Sequence, residues 1–341
     1  MKIILKKLMF LIASILLLNL IGCQTNENIS KIHKYDHIVI VIEENKSYDQ
    51  VIGNDAAPYI NSIIEESANF TQMYGEEHES EGNYFWLLSG NNQGVGYGDV
   101  IPDRSNNKNY PFTASNMAEQ LIKKGYSFKG YSESLPSIGD TINKAGNYVR
   151  KHVPWISFSN IPNGTDEMNS SNLQFAQFPT DFNKLPTVCF VIPNLVNDMH
   201  DPADPHVSVK NGDEWLKENI NNYLNWAKDH NSLLIITFDE NDDISKYRGL
   251  TDPASSDHDI RNRIPTLIAG ANIIPGNYSE GKGITHVNIL RTIEAMYNLS
   301  RSGHQQVNAL KYGITDDYII KDIFDKRSDA NHIIDAKSKV N

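Results

Sequence analysis

Two runs, residues 38–42 and 233–238, are apolar at almost every position and bounded by polar residues on both sides. A strand with one wet face alternates, whereas a continuous β-branched run reads as a strand buried on both faces, the pattern of parallel sheets. Residues 187–192 and 266–269 repeat the signal, and the segments between carry helical period. Residues 58–68 open on Pro58 with Ile60, Ile63 and Ile64 on one side. Residues 116–124 have Asn116 and Glu119 spaced as a capping box and Gly125 as a stop. Residues 213–228 and 288–297 complete the clear helices. This alternation predicts an α/β chain, a three-layer α/β/α sandwich around a mainly parallel sheet. Loops 89–113, 157–184 and 241–263 are too long for simple connections, so substrate contacts are expected there.

The front end is of a different kind. Residues 1–22 hold three lysines and no acid, and their apolar stretch, 8–18, is short for a membrane-spanning helix. Residues 1–22 read as an export signal. Its end, Leu20-Ile21-Gly22-Cys23, resembles the lipobox of bacterial lipoproteins, which implies lipidation at Cys23; a plain secretory signal or uncleaved anchor is the alternative. Residues 23–35 then read as a lipidated tether, 36–325 as one catalytic domain, and 326–341 as a polar tail. The expected location is the extracytoplasmic side of a bacterial membrane, and Gln24 suits an outer membrane.

The formal charge is −11, and removing three signal lysines leaves about −14. That balance argues against nucleic acid as a partner, and leaves the lipid anchor as the expected link to a membrane. The second cysteine, Cys189, lies in an apolar run and reads as a small core residue. Oligomeric state is not legible.

Chemistry gathers where the strands end. The run 38–42 leads into Glu43-Glu44-Asn45-Lys46 and the run 233–238 into Asp239-Glu240-Asn241. Ligands of open α/β sheets bind at the carboxyl ends of strands, so two tips that each deliver adjacent oxygen donors suggest one hard-cation site between them. Acids at strand ends also cap following helices, the competing reading for Asp239 and Glu240. Apolar residues 84–88 followed by Gly90 predict a short buried helix, with Ser80 and Asn83 at or just before its amino end. Free amides there favour an anion, although a serine in that place can equally be a cap.

Several stretches, taken in order, resemble the phosphoesterase family of acid phosphatases and phospholipases C, within the alkaline phosphatase superfamily. They are Glu44-Asn45-Lys46-Ser47-Tyr48-Asp49, the segment from His78 through Ser80 to Asn83-Tyr84, Arg150-Lys151-His152-Val153-Pro154, Asp198-Met199-His200-Asp201, Gly212-Asp213-Glu214-Trp215 and Phe238-Asp239-Glu240. The resemblance implies an alkaline-phosphatase-like fold in which Glu44, Asn45, Ser80, Asp239 and Glu240 hold one divalent metal cation. It implies that Ser80 is the nucleophile and that Asn83 binds a phosphoryl oxygen, with His152 and His200 filling much of the space of a second metal. Asp213, His286 and His78 match as substrate-contacting or supporting residues. The chain departs from the family pattern at Glu79 and Gly82, where proline is common, and at Lys46 and Tyr48. Gly82 leaves the nucleophile loop less stiff.

A ligand set of carboxylates, one amide and one hydroxyl favours calcium, magnesium or manganese over zinc. The expected reaction is hydrolysis of a small-molecule phosphate monoester through a phosphoseryl intermediate, with protonated His200 or His152 assisting the leaving group. Activity is then expected to fall as pH rises through about 7. The rivals are a phospholipase C acting on phosphatidylcholine-type lipids and an inactive surface binding lipoprotein.

Overall fold

The computed structural model describes residues 32–95, 100–242, 262–279, 281 and 283–325. Residues 1–22, Cys23, most of the tether and the tail 326–341 lie outside the described residues, as does most of the loop 241–263. Among the described residues no helix is long and apolar enough to cross a membrane.

In chain order the strands are β1 (His37–Glu43), β2 (Ala68–Phe70), β3 (Met73–Tyr74), β4 (Phe128–Ser132), β5 (Lys144–Ala145), β6 (Tyr148–Val149), β7 (Asn172–Gln174), β8 (Val188–Ile192), β9 (Ser232–Phe238), β10 (Thr266–Gly270), β11 (Gly276–Tyr278) and β12 (Ile284–Thr285). Eight of them form one sheet in the order β11-β2-β10-β9-β1-β8-β4-β7, while β3/β12 and β5/β6 are two-stranded. Pairing is parallel throughout the large sheet except where β10 runs antiparallel to both β9 and β2. The continuous apolar runs sit at the centre: every residue of β8 and β9 is buried, and only His37 of β1 is partly exposed.

Helices cover both faces, as a sheet buried on both sides requires. On one face the helix Asn221–Ala227 packs on β9, and Pro205–Asn219 packs on Pro58–Ile63. On the other, His286–Met296 packs on Ser80–Ser89, and its Ile289, Ile293 and Met296 meet Ile38, Leu233 and Ile235 of the sheet.

Several bounds differ from the sequence reading. The helix expected over 58–68 ends at Ile63, continues as a tight turn through Ile64–Glu66, and gives way to β2 at Ala68. The helix expected over 213–228 begins earlier, at Pro205 behind the capping carboxylate of Asp204, and breaks at Ile220. Tyr35, placed in the tether, is instead 1% exposed; its hydroxyl donates to the carbonyl of Ala271 and its own carbonyl accepts from Tyr297. Strand β4 was hidden because its pattern rests on distant partners. Lys129 donates to the carbonyls of Glu167 and Ser170, and a Cβ on Gly130 would lie 2.1 Å from the Trp155 ring.

The helix Ser80–Ser89 is buried at all ten positions and stops at Gly90, whose φ of 61° is left-handed. A Cβ there would stand 2.2 Å from the carbonyl oxygen of Ser302. Gly90→Ala is therefore expected to lower unfolding free energy by at least about 2 kcal/mol, read from urea denaturation.

Candidate active site

The site begins with register. Strands β1 and β9 pair in parallel with Glu43 opposite Phe238, and the Asp239 N–H donates to the Glu43 carbonyl at 3.0 Å. The next residues, Glu44 and Asp239, therefore emerge side by side. Asn45 adopts a left-handed φ of 53°, a conformation asparagine tolerates, and its N–H donates to Asp239 Oδ1 at 3.0 Å. The Glu44 N–H donates to the Asp198 carbonyl at 2.7 Å, which draws in the loop after β8.

Ser80 is the first residue of the helix Ser80–Ser89, directed at these tips. Its Oγ lies 3.1 Å from Glu44 Oε2 and 3.2 Å from Glu240 Oε1, placed to donate to either. One turn later Tyr84 donates its hydroxyl to Glu44 Oε1 at 2.5 Å. The Tyr84 ring stacks on that of His152, with centroids 5.2 Å apart and planes 7° from parallel. His152 Nε2 is 3.1 Å from Glu44 Oε1 and its Nδ1 3.4 Å from Asp198 Oδ2. His200 stands beside it, 6.5 Å between ring centroids, with Nδ1 3.0 Å from Asp201 Oδ1. His78, 1% exposed, pairs through Nδ1 with Glu240 Oε2, so it orients a strand-tip carboxylate.

Crowded carboxylates set the electrostatics. Burial, then Asp239 and Asp198, push the Glu44 carboxyl well above its ordinary range. Asp198 is likewise raised by burial and by Asp239, and Asp239 by burial, opposed by hydrogen bonds from the Asn45 N–H and Ser80. Strand alternation sends Glu43 to the opposite side, where burial and then Asp198, Glu133 and Asp213 raise it too. Lys46, 5% exposed, gives one hydrogen bond, to its neighbour's carbonyl. Buried carboxylates in such company call for a proton or a cation.

The residues present fit a cation. Asn45 Oδ1, Asp239 Oδ2 and Asp198 Oδ2 are buried oxygens with no hydrogen-bond partner. Among the described residues no three His, Cys, Asp or Glu side chains close into a ready-made metal cage; the donors here are mixed, with an amide and a hydroxyl among them. Oxygen donors of this kind suit a hard divalent ion.

Three expectations change. Asn83 does not present a free amide: its Oδ1 accepts from the Glu76 and Glu77 N–H groups at 2.8 and 3.1 Å, and its Nδ2 donates to the Glu77 carbonyl at 2.5 Å. It shapes the loop that leads to Ser80. Gly82 does not loosen that loop either, since a Cβ would lie 2.0 Å from Glu77 Oε1 and the glycine lets that carboxylate fold over the first helical turn. His152, expected as a protonated acid, is pushed well below the ordinary histidine range by burial, then by Lys151 and His200. Burial thus disfavours its protonated form, and His200 is the better placed of the two for that role.

Two residues are elsewhere. His286 begins the helix His286–Met296 and its Nε2 faces the Phe238 carbonyl at 2.8 Å, which ties that helix to the end of β9; burial depresses its pKa to about 4. Asp213 caps another helix, accepting from the Tyr59 and Ile60 N–H groups at 2.9 and 2.8 Å. Sequence reasoning gave no role to Asp198 or Tyr84. Both lay inside matched motifs, but their partners, His152 and Glu44, are brought in by the fold.

Comparisons with known proteins bear on the family and the fold. A model described as the Phosphoesterase family matches residues 54–300. A phosphatidylinositol-3-phosphatase of Mycobacterium tuberculosis is 40% identical over 283 residues, covering 81% of each chain. A probable acid phosphatase of Kluyveromyces lactis is 26% identical over 291 residues, covering 81% of this chain and 61% of its own. Among solved structures, an alkaline phosphatase superfamily protein from Vibrio parahaemolyticus aligns with a TM-score of 0.51 at 12% identity, over 84% of this chain and 70% of that one. The lipoteichoic acid synthase LtaP of Listeria monocytogenes aligns with a TM-score of 0.51 at 13% identity, over 86% and 79%. At such identities these structures bear on the fold alone, an α/β fold shared with a protein described as belonging to the alkaline phosphatase superfamily.

Because Asp213 caps rather than contacts substrate, Asp213→Ala is expected to cost about 1–3 kcal/mol of stability in urea melts while kcat stays within about twofold of wild type.

Proposed function

The chain belongs to the phosphoesterase family and is a phosphoric ester hydrolase, and from that premise we propose that it is a metal-dependent acid phosphatase hydrolysing phosphate monoesters through a phosphoseryl intermediate. The observation that carries this reading is the Ser80 hydroxyl, at a helix amino end, held within 3.2 Å of carboxylates from two strand tips. Glu44, Asn45, Ser80, Asp239 and Glu240 would hold the cation. Bound there, a divalent ion would lower the pKa of the coordinated hydroxyl and neutralise phosphoryl charge.

The chain's own residues supply the rest. Glu79 gives no side-chain cap to the helix, whose positive amino end would favour phosphoryl oxygens. Ser80 Oγ attacks phosphorus in line as the ester P–O bond breaks, and its proton passes to the carboxylate it already touches. His152, set between Glu44 and Asp198, orients that carboxylate. His200, fixed through Nδ1 by Asp201, protonates the leaving alkoxide and then takes a proton from the water that releases the phosphate from Ser80.

A relative named for a phosphatase acting on a phosphoinositide favours a monoester, here one on an alcohol such as an inositol lipid, over a phospholipase C reaction. Part of the same proposal is export as a lipoprotein anchored at Cys23, supported by the lysine-led apolar leader and Leu20-Ile21-Gly22. The soluble domain lacking residues 1–23 tests the activity on p-nitrophenyl phosphate beside p-nitrophenyl phosphorylcholine, with and without chelator. Turnover of the first alone supports the monoesterase; turnover of the second alone, or of neither, refutes it.

Ser80→Ala is expected to lower kcat by at least about 10³-fold without unfolding the protein, and Asp239→Asn to weaken cation affinity in calorimetry. A general acid works only while protonated, so kcat should decline as pH rises. His200→Gln should flatten that limb; an alkaline optimum in wild type would contradict the assignment.

A further inference from the structure

Ser80 and Tyr84 are four residues apart on one helix, so their side chains share a face. Both hydroxyls end on the same carboxylate: Ser80 Oγ at Glu44 Oε2, 3.1 Å, and the Tyr84 hydroxyl at Glu44 Oε1, 2.5 Å. Glu44 is fully buried and follows a strand whose register fixes its backbone, but its side chain needs partners to hold one rotation. The Tyr84 hydroxyl turns Oε1 away from Ser80 and leaves Oε2 facing the nucleophile. The Tyr84 ring lies face to face with His152, which in turn reaches Glu44 Oε1 with Nε2 and Asp198 with Nδ1. Two groups that must keep fixed angles, the Glu44 carboxylate and the His152 ring, thus meet one side chain that is 1% exposed.

We infer that Tyr84 is a positioning residue for phosphoryl transfer, its hydroxyl fixing Glu44 as a ligand that offers one oxygen to the cation and its ring fixing the plane of His152. This rests on the cation site proposed above. The two parts of the side chain do separate work, so they separate experimentally. Tyr84→Phe keeps the stack and loses the hydrogen bond, whereas Tyr84→Leu loses both.

The test is calorimetric titration of each full-length protein with manganese, followed by kcat and KM on p-nitrophenyl phosphate at saturating manganese. Tyr84→Phe should bind manganese about tenfold more weakly, the scale of a lost hydrogen bond to a charged group. Tyr84→Leu should show the same affinity loss and, at saturating manganese, a kcat about tenfold below that of Tyr84→Phe with KM within about twofold. Wild-type manganese affinity in Tyr84→Phe overturns the inference, as does equal kcat in the two variants. If Tyr84→Leu does not fold, the Tyr84→Phe affinity decides. A wild-type protein that hydrolyses the ester yet binds no divalent cation overturns the metal assignment and this inference together. That failure is distinguishable because it is visible before any variant is compared.

Discussion

Parallel pairing of β1 with β9, residue against residue up to Glu43 and Phe238, obliges two polar tips to appear at the same height. Their carboxylates cannot disperse, because both tips are buried and the loop after β8 is stitched to one of them through Asp198. Like charges held together out of water are costly unless something of opposite charge or an abundance of donors meets them. Much of the surrounding architecture answers that cost. The Ser80 hydroxyl at the amino end of its helix, the Tyr84 hydroxyl, the His78 imidazole and the left-handed turn at Asn45 all meet the same few carboxylates.

The legible part of this arrangement was the part written in consecutive residues. Runs with no alternation announced β1, β8 and β9, and the polar residues that interrupt them announced the tips. Asn116 capping its helix through the Glu119 N–H and Gly90 ending another are local devices, and local devices survive in a sequence. What escaped depended on partners far along the chain. Strand β4 carries Lys129 and Gly130, poor strand residues until the Glu167 loop and the Trp155 ring are laid over them. Strand β2 is three residues long, too short to separate from the helix before it.

The same distinction runs through the site. Ser80, Glu44, Asp239 and Glu240 could be grouped from the sequence because each sits at the end of an element, and the fold brings their side chains together. Asn83 and Asp213 were misread because a motif says which residue is present and not what its side chain touches. Asn83 folds back on the Glu76 and Glu77 amides, and Asp213 crosses to the amides of Tyr59 and Ile60. His152 was misjudged for a third reason: titration depends on burial, and no pattern of residues displays the depth at which an imidazole lies.

The helix bearing Ser80 is enclosed along its whole length, its far end wedged at Gly90 against the Ser302 backbone. An element so confined has no partial excursion available to it short of breaking the domain open. The Ser80 hydroxyl consequently has no dimmer: it is either in place or lost with the fold. Any control over turnover must be exerted from outside, through what reaches the cleft, and natural variation inside this helix is screened for folding before it can be screened for chemistry.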